Sequence, residues 1–136
     1  MSYLTELRDR LEQLEQNKQQ CIDSIKEIKR GKLVSMVGNY YKQTIDGTRS
    51  ILYVRSCNNT AIVNVITLDG GKYAMYECEV SLNEDGTQLV APMEIGKVLT
   101  NGIQIRFPTN PELSSAEEFI SLLSEIIQMC STDGNN

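Results

Sequence analysis

Residues 4–28 repeat in sevens. One set of positions falls at Leu4, Leu11, Lys18 and Ile25, and a second at Leu7, Leu14, Cys21 and Ile28. Six of these eight are aliphatic, and the 3.5-residue spacing holds for four heptads. That spacing draws a narrow seam along a helix, narrower than the stripe a helix lays on its own domain. The repeat therefore predicts a coiled coil and, with it, an oligomer. The interface set is Leu4, Leu7, Leu11, Leu14, Lys18, Cys21, Ile25 and Ile28.

Lys18 is the charged exception. A charge in a seam lowers stability and narrows the choice of register or oligomer number. Its four-carbon stem can lie along the seam while the ammonium reaches water. Arg10 and Glu15 hold flanking g and e positions, and would pair across chains in a parallel, in-register dimer. Ile22 widens the apolar stripe in the third heptad. Ser2 or Thr5 is the expected cap, and Glu6 and Asp9 suit the positive end of the helix dipole. Lys26, Lys29 and Arg30 suit the other end. Gly31 is a plausible stop, although Leu33, Val34 and Val37 extend the pattern toward Gly38.

Past Gly38 the period drops from 3.5 to 2. Strands are expected at Tyr40–Ile45, Ser50–Ser56, Ala61–Leu68, Lys72–Leu82, Gln88–Pro92 and Gly102–Phe107. Asp46-Gly47, Asn58-Asn59, Asp69-Gly70-Gly71, Asp85-Gly86 and Asn101-Gly102 punctuate them as hairpin turns. Ile51, Tyr53 and Arg55 share one face of their strand, and Leu52 and Val54 the other. Ile62, Val63, Val65 and Ile66 are apolar on both faces, which marks a central strand. Tyr76, Cys78 and Val80 alternate with Glu77, Glu79 and Ser81. Ile103 and Ile105 oppose Gln104 and Arg106. Pro108 and Pro111 stop the sheet. A last helix starts near Leu113, capped by Ser114 or Ser115 with Glu117 or Glu118, and its apolar face is Phe119, Leu122, Leu123, Ile126 and Ile127. The fold class is α+β: an N-terminal coiled-coil helix, an antiparallel β-meander or small barrel, and a C-terminal helix. The expected organisation is an oligomerising helix over 1–37, a β-rich domain with its helix over 38–130, and a disordered tail over 131–136.

Composition excludes several functions. The chain of 136 residues has net charge −5, no histidine and four cysteines, none in a Cys-x-x-Cys pair. Structural zinc needs paired Cys/His ligands, and a Ser or Cys hydrolase normally needs a histidine base. Residues 114–136 carry four acidic and no basic side chains, whereas residues 1–31 balance six against six. No basic stripe suits duplex nucleic acid. No apolar run reaches the ~18 residues of a membrane span, and the N-terminus does not read as a signal peptide. A cytoplasmic protein with reduced thiols is expected, without cofactor or metal. Glu77 and Glu79 share a strand face at a spacing suited to a divalent metal, but the pattern is that of a solvated face. Neither Asp69-Gly70-Gly71-Lys72 nor Gly96-Lys97 completes a phosphate loop. The sequence thus points to no catalytic residues and no enzyme.

A binding site remains. Tyr40, Tyr41 and Lys42 are contiguous, and Arg49, Arg55 and Arg106 lie on expected strands. Tyrosine stacks on rings and arginine forks onto phosphate or carboxylate. If they converge, they form a site for a small anionic nucleotide; otherwise the tyrosines are core and the arginines surface.

Gly38-Asn39-Tyr40-Tyr41-Lys42, ahead of Ile51-Leu52-Tyr53-Val54, resembles the Gly-Lys-Tyr-Tyr-Lys opening of many small bacteriophage proteins. Those proteins often close with a Glu-Glu-Phe helix, like Glu117-Glu118-Phe119. The resemblance spans about residues 33–127. It implies an anti-defence role: inhibition of a host protein, as anti-CRISPR proteins do, or sequestration of a nucleotide signal, as Thoeris anti-defence oligomers do. A coiled coil, a small sheet and a closing helix also resemble kinetochore proteins with RWD-type heads, through Ile105-Arg106-Phe107-Pro108 and the helix after it. That likeness implies a scaffold module of a virion or kinetochore-like assembly.

Overall fold

The computed structural model describes residues 3–91 and 98–134; Ser2, Pro92, Gly96, Lys97 and the last two residues of the tail lie outside them. The fold is α+β: a long N-terminal helix, a curled antiparallel sheet and a C-terminal helix. Helix α1 (Tyr3–Met36) runs straight through Gly31. The chain tolerates glycine there because the following turn is held by docking. Leu33 is buried and Met36 packs beside it against the sheet. The real stop is Gly38, whose φ of 86° an L side chain avoids. Its N–H donates to the Val54 carbonyl (2.8 Å), and the chain turns directly into the sheet.

Strands β1 (Tyr40–Ile45), β2 (Thr48–Cys57), β3 (Ala61–Asp69) and β4 (Lys72–Leu82) form the expected meander. Asp46 (φ 49°) and Gly47 (φ 84°) make a two-residue turn with both angles positive, the type that matches the twist of a hairpin. β3 is flanked by β2 and β4, as its two apolar faces require. The register slips once in β2, between Val54 and Ser56, so Arg55 sits on a bulge.

Beyond β4 the expectations need correction. β5 is only Leu89–Val90, β6 is Val98–Thr100, and Gly102–Phe107 is not a strand. Both short strands line the free edge of β4: Val90 sits opposite Ser81, and Val98 opposite Tyr76. From Val90 to Val98 the sequence advances eight positions while β4 advances only five, from Ser81 to Tyr76, so the two pairings do not belong to one continuous strand. The 102–107 segment does not pair in the sheet but lies across its concave face, with Ile103 buried and Ile105 and Phe107 beside it. Its alternation does turn Ile103 and Ile105 inward, but the partner is a surface, not a strand edge. Leu113 does not begin the helix. It belongs to β7 (Glu112–Ser114), which pairs with β1 through Tyr41. Pro111 ends no sheet; it precedes this edge strand. The curl brings the two ends of the half-barrel near each other, where the Leu89 N–H donates to the Thr109 carbonyl (2.8 Å).

Helix α2 (Ala116–Gly134) is capped by Ser115, whose Oγ accepts from the Glu118 N–H. It runs past Cys130, four residues into the segment expected to be a tail. Met129 and Cys130 pack on the sheet, which anchors the last turns.

The sheet therefore has two cores. The concave face buries Leu52, Val54, Val63, Val65, Tyr76 and Cys78 under the end of α1 and the 102–107 segment. The other face buries Ile51, Ile66, Leu68 and Tyr73 under Leu122 and Ile126 of α2. Ile127, expected on that apolar face, is instead 54% exposed. One residue past Ile126, it is turned about 100° away.

Burial lifts the Cys78 thiol to about 11, with a smaller push from the neighbouring Glu77 carboxylate. Burial also raises Tyr76. Both groups ionise at lower pH in the unfolded chain, so the folded state holds more protons in between. The Cys78 contribution is intact below pH 9 and is lost as pH climbs from about 9 to 11. It amounts to on the order of 2 kcal/mol. Denaturant melts across that window should show stability falling, and Cys78→Val should flatten the fall. An unchanged slope in the variant would remove this role for Cys78.

Candidate functional site

Among the described residues, the arm carries a long row of exposed aliphatic side chains. Ahead of Leu33, no described residue of α1 joins either core, although Lys26, Lys29 and Arg30 border a groove with Asn59, Ser81 and Leu82 of the head. Leu4, Leu7, Leu11, Leu14, Ile25 and Ile28 are between 43% and 72% exposed. Lys18 and Cys21 are exposed in the same line. The local sequence favours helix here through Leu, Glu, Gln, Lys and Arg. Side-chain pairs four apart add to it, such as Gln19 to Asp23 (3.0 Å). Local preference does not explain six aliphatic side chains in one row facing water. A helix of 34 residues is about 50 Å long, so the arm projects well beyond the head.

On the head, a cleft of about 360 Å³ opens between β1, β2 and α2. Two of the expected site residues line it, Lys42 and Arg49. Each meets a carboxylate of α2. Lys42 Nζ donates to Glu118 (2.8 Å), and this hydrogen bond and charge hold the lysine above its ordinary pKa. Arg49 forks onto Glu125 at 3.4 and 3.5 Å. Glu112 also lines the cleft, so two cations share it with three carboxylates.

The remaining expected residues disperse. Tyr40 stacks on Tyr53 (centroids 4.8 Å apart) and on Phe119 (5.4 Å), joining sheet to helix. Tyr41 points to the opposite face, packed against the concave core. Arg55 forks onto Glu77 at 3.0 and 3.2 Å. Arg106 pairs with Asp46, at the β1–β2 turn. Strand alternation separates Tyr40 and Lys42 from Tyr41, since successive side chains point to opposite faces. Glu77 is thus an ion-pair partner, while Glu79 accepts from Thr60 (3.4 Å). Among the described residues, no cluster of three or more metal-type ligands forms, and no helix is long and apolar enough to cross a membrane.

Comparison with known protein families, with curated proteins and with solved structures finds no match for this chain. The anionic cleft was not legible beforehand. Glu118 and Glu125 each lie 76 residues from the cation they hold, and no local pattern links them.

Proposed function

We propose that this chain is a non-enzymatic, self-associating binding protein whose α1 arms join as a coiled coil and carry the β-domains as heads. The exposed seam of α1 is the observation that supports this reading. Exposed apolar rows of this size mark interaction surfaces, and a second seam of the same spacing is the surface that fits one. Joining the heads raises their effective concentration at a target without any new contact.

The heads suit a protein target better than a nucleotide. Each expected phosphate-binding cation already has a carboxylate partner, and the cleft that gathers two of them carries an excess negative charge. An incoming phosphate would have to displace those carboxylates and face Glu112. The resemblance to small phage proteins gives the setting: an inhibitor of a host defence protein, held in the cytoplasm. The scaffold reading shares the arm and differs in lacking a head-bound target.

Sedimentation equilibrium of the full chain tests the shared step. The expected mass is a multiple of the 15.3 kDa protomer at micromolar concentration. A protomer mass at every concentration overturns the proposal.

A further inference from the structure

The geometry points to an antiparallel two-stranded coil, in which the arm of a second copy lies head-to-tail along α1 and seats its Tyr3 in the depression at Gly31. This rests on the self-association proposed above and specifies its partner surface.

The seam is symmetric about residue 16. In an antiparallel pair with that centre, Leu4 faces Ile28 of the second copy, Leu7 faces Ile25, Leu11 faces Cys21 and Leu14 faces Lys18. Every seam position has a partner, and the overlap ends at residue 29, just before Leu33 docks on the sheet. Lys26, Lys29 and Arg30 line a groove with Asn59, Ser81 and Leu82 of the head, so the end of the second copy's arm comes to rest beside the head.

Charge decides between the two directions. Residues 3–16 carry four acidic and two basic side chains, and residues 17–32 five basic and two acidic. A parallel pair sets like halves together, and places Lys18 directly against Lys18 of the partner copy in the seam. The antiparallel pair sets the acidic half on the basic half. Lys18 then lies over Leu14, within reach of Glu15 of the other copy, an exchange of repulsion for attraction. The parallel arrangement keeps the Arg10–Glu15 pair, but that is an exposed contact between long side chains.

A second observation is independent of charge. A shallow depression of about 630 Å³ runs along α1 beside Ile28, Gly31 and Val34. It exists because Gly31 has no side chain, and nothing lies within 4 Å of where a Cβ would stand. Tyr3 is 76% exposed on its own chain. Tyr3 and Gly31 occupy the same flanking position of the heptad, g, and g positions meet g positions only when the helices run antiparallel. In the symmetric register Tyr3 falls level with Lys29, about 3 Å along the axis from Gly31 and within reach of its ring. The heads then stand at opposite ends, about 50 Å apart.

Cys21 reports the direction. In a parallel in-register pair the two Cys21 thiols face each other within disulfide reach. In the antiparallel pair they are about 15 Å apart along the axis, beyond that reach. The probe is the full chain carrying Cys57→Ser and Cys130→Ser, oxidised with diamide. No disulfide-linked dimer is expected. Adding Leu11→Cys should give a linked dimer whose peptide map joins position 11 of one copy to Cys21 of the other. A Cys21–Cys21 link, or no 11–21 link in a chain that sediments as a dimer, overturns the direction and register while leaving self-association standing. A protomer that stays monomeric overturns both. Gly31→Gln, which meets open space within its own chain, should weaken the dimer roughly tenfold and so should Tyr3→Ala; dimers of unchanged affinity would remove the Tyr3 seat.

Discussion

Replacing Leu11 and Leu14 together with glutamate is expected to leave a monomer whose arm loses most of its helix, while the head unfolds at its usual temperature. Both leucines sit in the middle of the seam, and neither touches the head in the folded chain. In a dimer the double variant removes four leucine side chains from the interface. Each forgoes burial of about 1.5–3 kcal/mol. The carboxylates that replace them also resist desolvation. The sum weakens association by about 10⁴-fold or more. The released arm has lost its packing, from which most helix stability in proteins comes. Sedimentation reads the mass and far-ultraviolet circular dichroism reads the helix. A variant that keeps the wild-type mass and helicity would show that the seam is not the interface. Leu11 and Leu14 on the solvent side of some other contact would be the remaining arrangement.

The second large effect lies in the head. Leu52→Ala should lower its stability by roughly 3–4 kcal/mol without changing the oligomeric state. Leu52 is completely buried at the centre of the concave core, between Tyr41 on β1 and Val65 on β3. Sheet strands on both sides and the covering 102–107 segment limit how far the site can collapse around a cavity. For a head of about 100 residues this corresponds to a fall in Tm on the order of 15 °C or more. Differential scanning calorimetry of the full chain reads it, with sedimentation as the control. A loss below about 1 kcal/mol would mean that Leu52 is not enclosed as described. The pair of variants also separates the two parts of the molecule: one removes the assembly and spares the head, the other weakens the head and spares the assembly.

Much of the architecture was legible in the chain itself. The meander from Tyr40 to Leu82 could be read because each strand alternates and each turn carries glycine or asparagine beside it. Ser115 as the cap of α2 could be read because capping is a matter of neighbours three residues apart. The edge strands were misplaced for a related reason. β6 and β7 are three residues each, too short to set up a period, and they exist because longer strands offer them an edge. The 102–107 segment carries a strand's alternation without a strand's partner. Alternation reports which side chains are buried, not which backbone accepts the hydrogen bonds.

The candidate binding residues divide along the same line. Tyr40, Tyr41, Lys42, Arg49, Arg55 and Arg106 qualify as candidates by residue type alone. Whether they converge depends on contacts dozens of residues apart, and the fold spreads them over two faces and pairs every cation among them with an acid. The arm is the opposite case. Its eight seam positions and their heptad spacing are local properties, complete within thirty residues, so the sequence by itself determined the seam, its polar interruption at Lys18 and Cys21, and its length. The tertiary structure decided where the arm ends. Gly31 looked like a stop, and a sheet surface that receives Leu33 carried the helix on to Met36. It also decided that, among the described residues, nothing folds back to cover the seam. A repeat specifies a surface through short-range periodicity, but whether that surface meets its own domain or is left for another molecule depends on where the rest of the chain lies.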